Sequence, residues 1–415
     1  MPLTRETCAE RDRADPLSAA RARFVLPSGV IYLDGNSLGA TPKGVAERVT
    51  KTIEQEWGTG LIRSWAGWMD LSRSAGDLIA PLIDARPGEV IVADSTSVNL
   101  YKLAAAALDA RPDRTVIITD DDNFPTDRYL LAGLAAQRGA ELRVVRSDPV
   151  DGVSTATVAA ALDPGTALVC LSHVAYRSGA VADLTAITAA AHAAGALVLW
   201  DLSHSVGSVP VPLRGSGADL AVGCTYKHLH GGPGAPAFLF VRSDLQSTLR
   251  QPMWGWWGQR DQFAMAPDYE PVEAIERFLV GTPAILGLTA TIEGARITAA
   301  AGIEAIAAKA QALTAFAIEL SDLWLVPLGF ELASPRDPQR RGAHVALRHP
   351  AAWPICQAMI AAGVIPDFRA PDRLRLGLAP LYTRFADVYD GLHRLRELVE
   401  AARHLDYPTT LARVT

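Results

Sequence analysis

The 415-residue chain predicts an α/β protein with a mainly parallel seven-stranded sheet, helices on both of its faces, and a smaller α+β domain. Three observations carry this reading. Seven short apolar runs punctuate the chain up to Val241. Ala/Leu-rich stretches of helical length separate most of them, the pattern of βαβ units. The runs are continuously apolar, not alternating, which suits a sheet covered on both faces.

Taken in order, residues 1–45 are turn-rich and are expected to pack with the smaller domain. Residues 46–285 form the large domain. Its strands are predicted at 90–93, 115–119, 142–145, 167–171, 196–200, 220–224 and 237–241, with helices such as 98–110, 127–138 and 184–194 between them. After Thr282-Pro283 the pattern changes, and 286–415 reads as the smaller domain. It opens with helix over 286–325, interrupted near Gly302. A strand at 344–347, a helix at 353–362, a strand at 374–378 and a helix at 385–403 follow.

Composition narrows the function. A net charge of −6 argues against a nucleic-acid partner. No apolar run reaches the roughly 18 residues of a membrane span. The charged first residues lack the apolar core of a signal peptide, so the cytoplasm is the expected location. Cys8, Cys170, Cys224 and Cys356 are scattered without a C-x-x-C, so neither a metal site nor a disulfide framework is predicted.

In open α/β sheets, ligands bind beyond the carboxyl ends of the strands. Five strand ends deliver polar or aromatic groups there: Asp94-Ser95-Thr96-Ser97, the 120–127 tract with Phe124 and Asp127, Ser172-His173, Asp201 with His204, and Tyr226-Lys227. Each has a plainer reading alone. Ser95–Ser97 suit a helix N-cap, Lys227 an exposed loop, Phe124 the core, and His204 a structural hydrogen bond. Together, a lysine amine and a carboxylate on neighbouring strand ends fit pyridoxal phosphate. The lysine holds the aldehyde as a Schiff base, and Asp201 keeps the pyridine nitrogen protonated. Only five lysines exist, and the main competitor, Lys102, falls inside a predicted helix.

These residues resemble the kynureninase family, of the fold-type-I pyridoxal-phosphate enzymes. The resemblance runs through Tyr32-Leu-Asp-Gly-Asn-Ser-Leu-Gly39, Trp57–Trp65, Asn123–Asp127, Asp201-Leu-Ser-His204, Tyr226-Lys227, Gly231-Gly-Pro-Gly234, Trp256, the 278–283 segment and Pro380-Leu-Tyr382. It implies hydrolytic Cβ–Cγ cleavage of L-kynurenine to anthranilate and L-alanine in tryptophan degradation. It implies Lys227, Tyr226 and Asp201 as catalytic. It implies a cofactor cradle of Thr96, Ser97, Phe124, Asp127, Ser172, Asp201, His204, Tyr226 and Lys227. Trp256 and Thr282 would reach in from a partner subunit, so a homodimer is expected. Arg375 would bind the substrate carboxylate, a contact suited to a planar guanidinium. Ser37, Trp65 and Gly281 would surround the aryl group, and the Trp65/Gly281/Thr282 combination resembles bacterial members.

Three stretches depart from the family pattern: Ser203 stands for alanine, His228-Leu-His230 for Tyr-Leu-Asn, and Trp257 with Gln259 alters a Gly-Trp-Phe-Gly-His tract. Two rivals follow. A desulfurase-like lyase would need a mobile-loop cysteine, for which Cys356 is the candidate. A binding protein on the same fold would have no need of Lys227, Asp201 and Arg375 together.

Overall fold

In the computed structural model, which describes residues 4–411, the chain opens on a helix, Arg5–Ala14, where turns were expected. Apolar periodicity does not announce it, because Cys8 is its single buried residue. The signal is the start: Thr4 and Thr7 exchange side-chain-to-backbone bonds in a capping box. The helix docks on the last long helix, Phe385–Glu400. There the Asp12 carboxylate accepts from the N–H groups of Phe385 and Ala386, at 2.7 and 3.1 Å. It thereby satisfies two of the four donors that a helix start leaves open.

A short strand, β1 (Ile31–Tyr32), pairs in parallel with β11 (Val364–Ile365). The large sheet is built from β2 (Val90–Val92), β3 (Val116–Asp120), β4 (Glu141–Val145), β5 (Thr166–Ser172), β6 (Leu197–Asp201), β7 (Leu220–Gly223) and β8 (Phe238–Val241). Their order is β2-β8-β7-β6-β5-β3-β4. All pairs are parallel except the two made by β8, which runs against β7 and β2. The sheet is therefore mainly parallel and seven-stranded, as the apolar runs predict.

Both faces are buried. Val92, Val169, Val198 and Phe240 belong to one core, and Ile91, Ile117, Leu168 and Val222 to the other. Each such side chain contributes about 1.5–3 kcal/mol on burial. The edge strand β4 differs: of its five residues only Val145 is buried, which explains its charged Glu141 and Arg143.

The break at Gly302 is sharp. With φ +77°, a conformation that favours glycine, it separates helices Ile285–Ala301 and Ile303–Trp324, which meet at 82°. Among the described residues no single helix is long and apolar enough to cross a membrane. The second sheet has the order β12-β13-β10-β9, from β9 (Glu331–Leu332), β10 (His344–Arg348), β12 (Asp367–Arg369) and β13 (Arg373–Gly377). Its two-residue strand β9 and the β1–β11 pair were too short to read from apolar runs.

The N-terminal segment joins both sheets. Gly39 N–H donates to the Tyr226 carbonyl at 2.8 Å, and Asp34 bridges in parallel to Gly377 on β13. A Cβ on Gly39 would lie 2.1 Å from the Lys227 carbonyl oxygen, so this approach needs glycine.

Candidate active site

The carboxyl ends of β2, β3, β5, β6 and β7 open on one cavity of about 470 Å³. Thr96, Ser97, Phe124, Asp127, Ser172, Asp201, His204, Tyr226, Lys227, Gly281 and Thr282 all line it. Eleven residues singled out in the sequence thus share one chamber of one chain. Gly281 and Thr282 lie in the wall of their own chain's cavity.

Local structure explains each placement. The helix Thr96–Asp109 starts at the cavity, with Ser95 as N-cap accepting from Val98 N–H at 3.3 Å. Ser95, Thr96 and Ser97 at its start line the chamber, and a helix N-terminus is a ready anion site. Phe124 precedes Pro125, the first residue of the next helix, and is 41% exposed. Its ring stands edge-on to Tyr176, centroids 5.4 Å apart, and is open to a ligand rather than packed in the core. Ser172 donates to Asn123 Oδ1 at 2.7 Å, and the same oxygen accepts from Phe124 N–H at 2.8 Å. This ties the ends of β3 and β5 together.

Asp201 ends β6. One of its oxygens accepts from Ser203 N–H at 2.8 Å. Burial and the Asp201 charge push the Asp127 carboxyl far above the usual carboxylate range, which favours its neutral form beside Asp201. Lys227 Nζ lies 2.8 Å from His204 Nε2. Burial holds His204 far below its usual range, so its neutral ring accepts from the lysine. The Tyr226 hydroxyl is pushed up by Cys224 and burial and stays protonated at neutral pH.

Four predicted site residues lie outside the chamber lining. Arg375 is buried behind it, on β13. Its Nε donates to Asp367 Oδ2 at 2.6 Å and Nη2 to Ser37 Oγ at 3.1 Å, while Nη1 reaches the Tyr176 carbonyl. Ser37 and Arg375 thus touch each other and reach the chamber through Tyr176. Trp65 lies outside the chamber lining and packs on Trp68 and Trp257, with ring centroids 5.4 Å away in each case. Trp256 is 40% exposed and packs edge-on against Trp257.

Tyr176 lies four residues beyond β5 and gave no motif. Lys102 was passed over as a helix residue. It is wholly buried, donating to Asp94 Oδ2 and the Phe278 carbonyl at 2.7 Å each. It joins the loop before the Thr96 helix to the segment that carries Gly281 and Thr282.

A pyridoxal phosphate cofactor fits this donor set. The lysine amine, the Asp201 carboxylate, the exposed Phe124 face and a helix start share a chamber of suitable size. Two buried polar atoms there, His204 Nδ1 and Asp127 Oδ2, have no protein partner.

The kynureninase C-terminal domain family matches residues 306–395, and the class-V aminotransferase family matches residues 31–344. A kynureninase of Burkholderia pseudomallei is 47% identical over 419 aligned residues, covering 99% of both chains. The chain belongs to the kynureninase family. A kynureninase of Pseudomonas fluorescens is 45% identical over 96% of both chains. Among solved structures, cysteine desulfurases of Thermococcus onnurineus and Escherichia coli superpose with TM-scores of 0.79 and 0.78. They are 22% and 18% identical, and cover 92% and 94% of this chain and 98% of each of their own. These two establish the fold alone, which is fold type I. Kynureninase membership brings pyridoxal phosphate as the cofactor.

A desulfurase-like role for Cys356 fails on placement. The residue is fully buried within the helix Ala352–Ala361, and burial pushes its thiol up to about 12. Such a thiol is neither mobile nor nucleophilic.

The departures from the family pattern sit behind the chamber, with one exception. His228 and His230 are buried and held neutral, each lowered to about 3. His230 packs on Phe24 and Tyr382, with ring centroids 4.7 and 5.8 Å away. Gln259 organises its own loop by accepting from Glu270 N–H at 2.7 Å. Ser203 alone lines the chamber, where its hydroxyl accepts from Cys224 N–H at 3.2 Å.

Proposed function

We propose that this kynureninase-family chain hydrolyses the Cβ–Cγ bond of L-kynurenine, giving anthranilate and L-alanine. The observation that supports it most is the meeting of Lys227, Asp201, Tyr226 and the helix start in one chamber, with a guanidinium directly behind Tyr176.

Bound pyridoxal phosphate supplies the electron sink that makes the Cα proton removable and weakens the Cβ–Cγ bond. The chain's residues do the rest. Asp201 offers its carboxylate to the pyridine nitrogen. Phe124 would stack on the cofactor ring, and Asp127, Ser172 and His204 would complete the walls. Thr96, Ser97 and Thr282 would hold the phosphate. Lys227 removes and returns the proton at Cα. Tyr226, protonated at neutral pH, donates to the γ-carbonyl oxygen as water adds. Arg375, with Ser37 beside it, takes the α-carboxylate, and Gly281 bounds the aryl side.

We also propose a homodimer. Trp256 lies beside exposed Trp254 and near Phe263, whose ring centroid is 6.2 Å away, and such a patch on a folded surface suits a second copy. The cytoplasm and the division into 1–45, 46–285 and 286–415 belong to the same proposal. Anthranilate fluorescence on incubation with L-kynurenine, run beside 3-hydroxykynurenine, tests the reaction. Absence of product from both would end the assignment.

A further inference from the structure

Arg375 is hemmed in by two carboxyl groups that the reaction does not use. Asp367 sits opposite Arg375 in the β12–β13 register, and its Oδ2 takes the Nε side of the guanidinium. Its other oxygen accepts from Arg369 at 2.7 Å. Asp34 lies along the same edge of β13 as Asp367, bridging to Gly377 two residues past Arg375. Asp34 Oδ1 is buried without a protein partner. The N–H of Ser37 donates to the Asp34 carbonyl at 3.0 Å, and the Ser37 hydroxyl accepts from Arg375. Two arginines therefore face two aspartates around the group that would receive the substrate's carboxylate.

That arrangement poses a charge problem. A third carboxylate entering this buried cluster meets Asp367, already held by two guanidinium groups, and Asp34, held by none. The easier charge to remove is that of Asp34. We propose that Asp34 is the charge-compensating residue of the Arg375 pocket: it takes a proton from solvent when an external carboxylate seats on the guanidinium. The inference rests on the reading of Arg375 as carboxylate anchor.

The groups facing Asp34 agree. Burial and the Asp367 charge push its carboxyl up to about 7, and Ser37, Arg375 and Arg369 pull it down. Tyr32, Tyr382 and Cys356 also sense Asp34 and are all raised, so they add no charge at neutral pH. Near pH 7 Asp34 is thus half ionised, and one more negative charge nearby completes its protonation.

The test is calorimetric, on the pyridoxal-phosphate-loaded enzyme. The probe is 4-oxo-4-phenylbutanoate, which carries a carboxylate and a γ-ketone but no amine. Binding heats in two buffers of different ionisation enthalpy give the protons taken up. At pH 7 to 7.5 we expect an uptake of about half a proton, fading towards zero below about pH 5.5, where Asp34 is already protonated. The uncharged amide of the probe should show none. Asp34→Asn should bind the probe and lose the uptake. The cofactor's visible band, followed alongside, reports any proton gained near Lys227 instead. Probe binding with buffer-independent heats, or an uptake that Asp34→Asn retains, overturns the proposal while leaving the assigned reaction standing. Failure to bind the probe while kynurenine is cleaved overturns the proposal alone, and failure to cleave kynurenine overturns both. The wild-type pH series decides the matter even if the variant does not fold.

Discussion

Nζ of Lys227 and Nε2 of His204 stand 2.8 Å apart in a buried chamber, with the imidazole held neutral by burial. The histidine gives the amine a fixed position without competing for its proton.

The first prediction concerns that amine. Lys227→Ala should lower kynurenine turnover by at least about a thousandfold, as befits loss of the group that moves the Cα proton. It should also erase the visible absorbance of covalently held cofactor. Turnover near wild type in this variant would sink the assignment.

A second prediction separates binding from chemistry. Arg375→Ala should raise KM about tenfold or more, with kcat changing far less, because the contact is made in ground and transition states alike. The variant should also melt earlier. It leaves Asp367 buried with Arg369 as its remaining ion-pair partner, and breaking a buried pair costs about 3 kcal/mol. Steady-state kinetics beside a melting curve check both halves. An unchanged KM would move the carboxylate anchor elsewhere.

The pair Asp127 and Asp201 makes a third. Burial and the Asp201 charge favour the neutral form of Asp127, so Asp127→Asn should change the charge little and keep cofactor affinity within about tenfold. Asp201→Asn removes the charge that faces the ring nitrogen and should weaken catalysis by about a hundredfold or more. Titration with pyridoxal phosphate and kcat for both variants would reveal a reversed order.

The pH dependence of stability gives a fourth. Burial raises Asp120 to about 6, although Ser147 and the Asp122 N–H bond it. A raised carboxyl stabilises the fold below its unfolded value near 4, and that stability is lost as pH rises to about 6. Asp120→Asn should therefore leave the melting temperature unchanged near pH 4. It should raise stability on the order of 2 kcal/mol at pH 7.5. Equal effects at both pH values would contradict this.

Cys356 supplies a fifth. Cys356→Ser should keep kynurenine cleavage within about threefold, since the thiol touches none of the chamber, and should cost about 1 kcal/mol of stability. Sulfide release from L-cysteine that disappears in this variant would revive the desulfurase alternative.

Strand ends were legible because chemistry and periodicity coincide there. The apolar run before Asp201 and the one before Tyr226-Lys227 each stop where a polar group enters the chamber. The helix Arg5–Ala14 was not legible, because polar caps rather than an apolar stripe define it. Lys102 lies in a helix as read, but only the fold reveals the Asp94 carboxylate and Phe278 carbonyl that hold it buried. Asp34 lies too far in sequence from Asp367 and Arg375 for any spacing to join it to them.

The contacts of Gly39 with Tyr226 and of Asp34 with Gly377 bear on how the chain is made. Synthesis runs from the N-terminus, so this arm leaves the ribosome long before either partner exists. Its Gly39 contact must wait until Tyr226 has emerged, and its Asp34 bridge until β13 has emerged. A fragment that starts after this arm would keep the sheet yet lose the strap across the lysine turn. Neither half of the molecule is then a free-standing cofactor carrier, and the last-synthesised strand completes the first-synthesised segment.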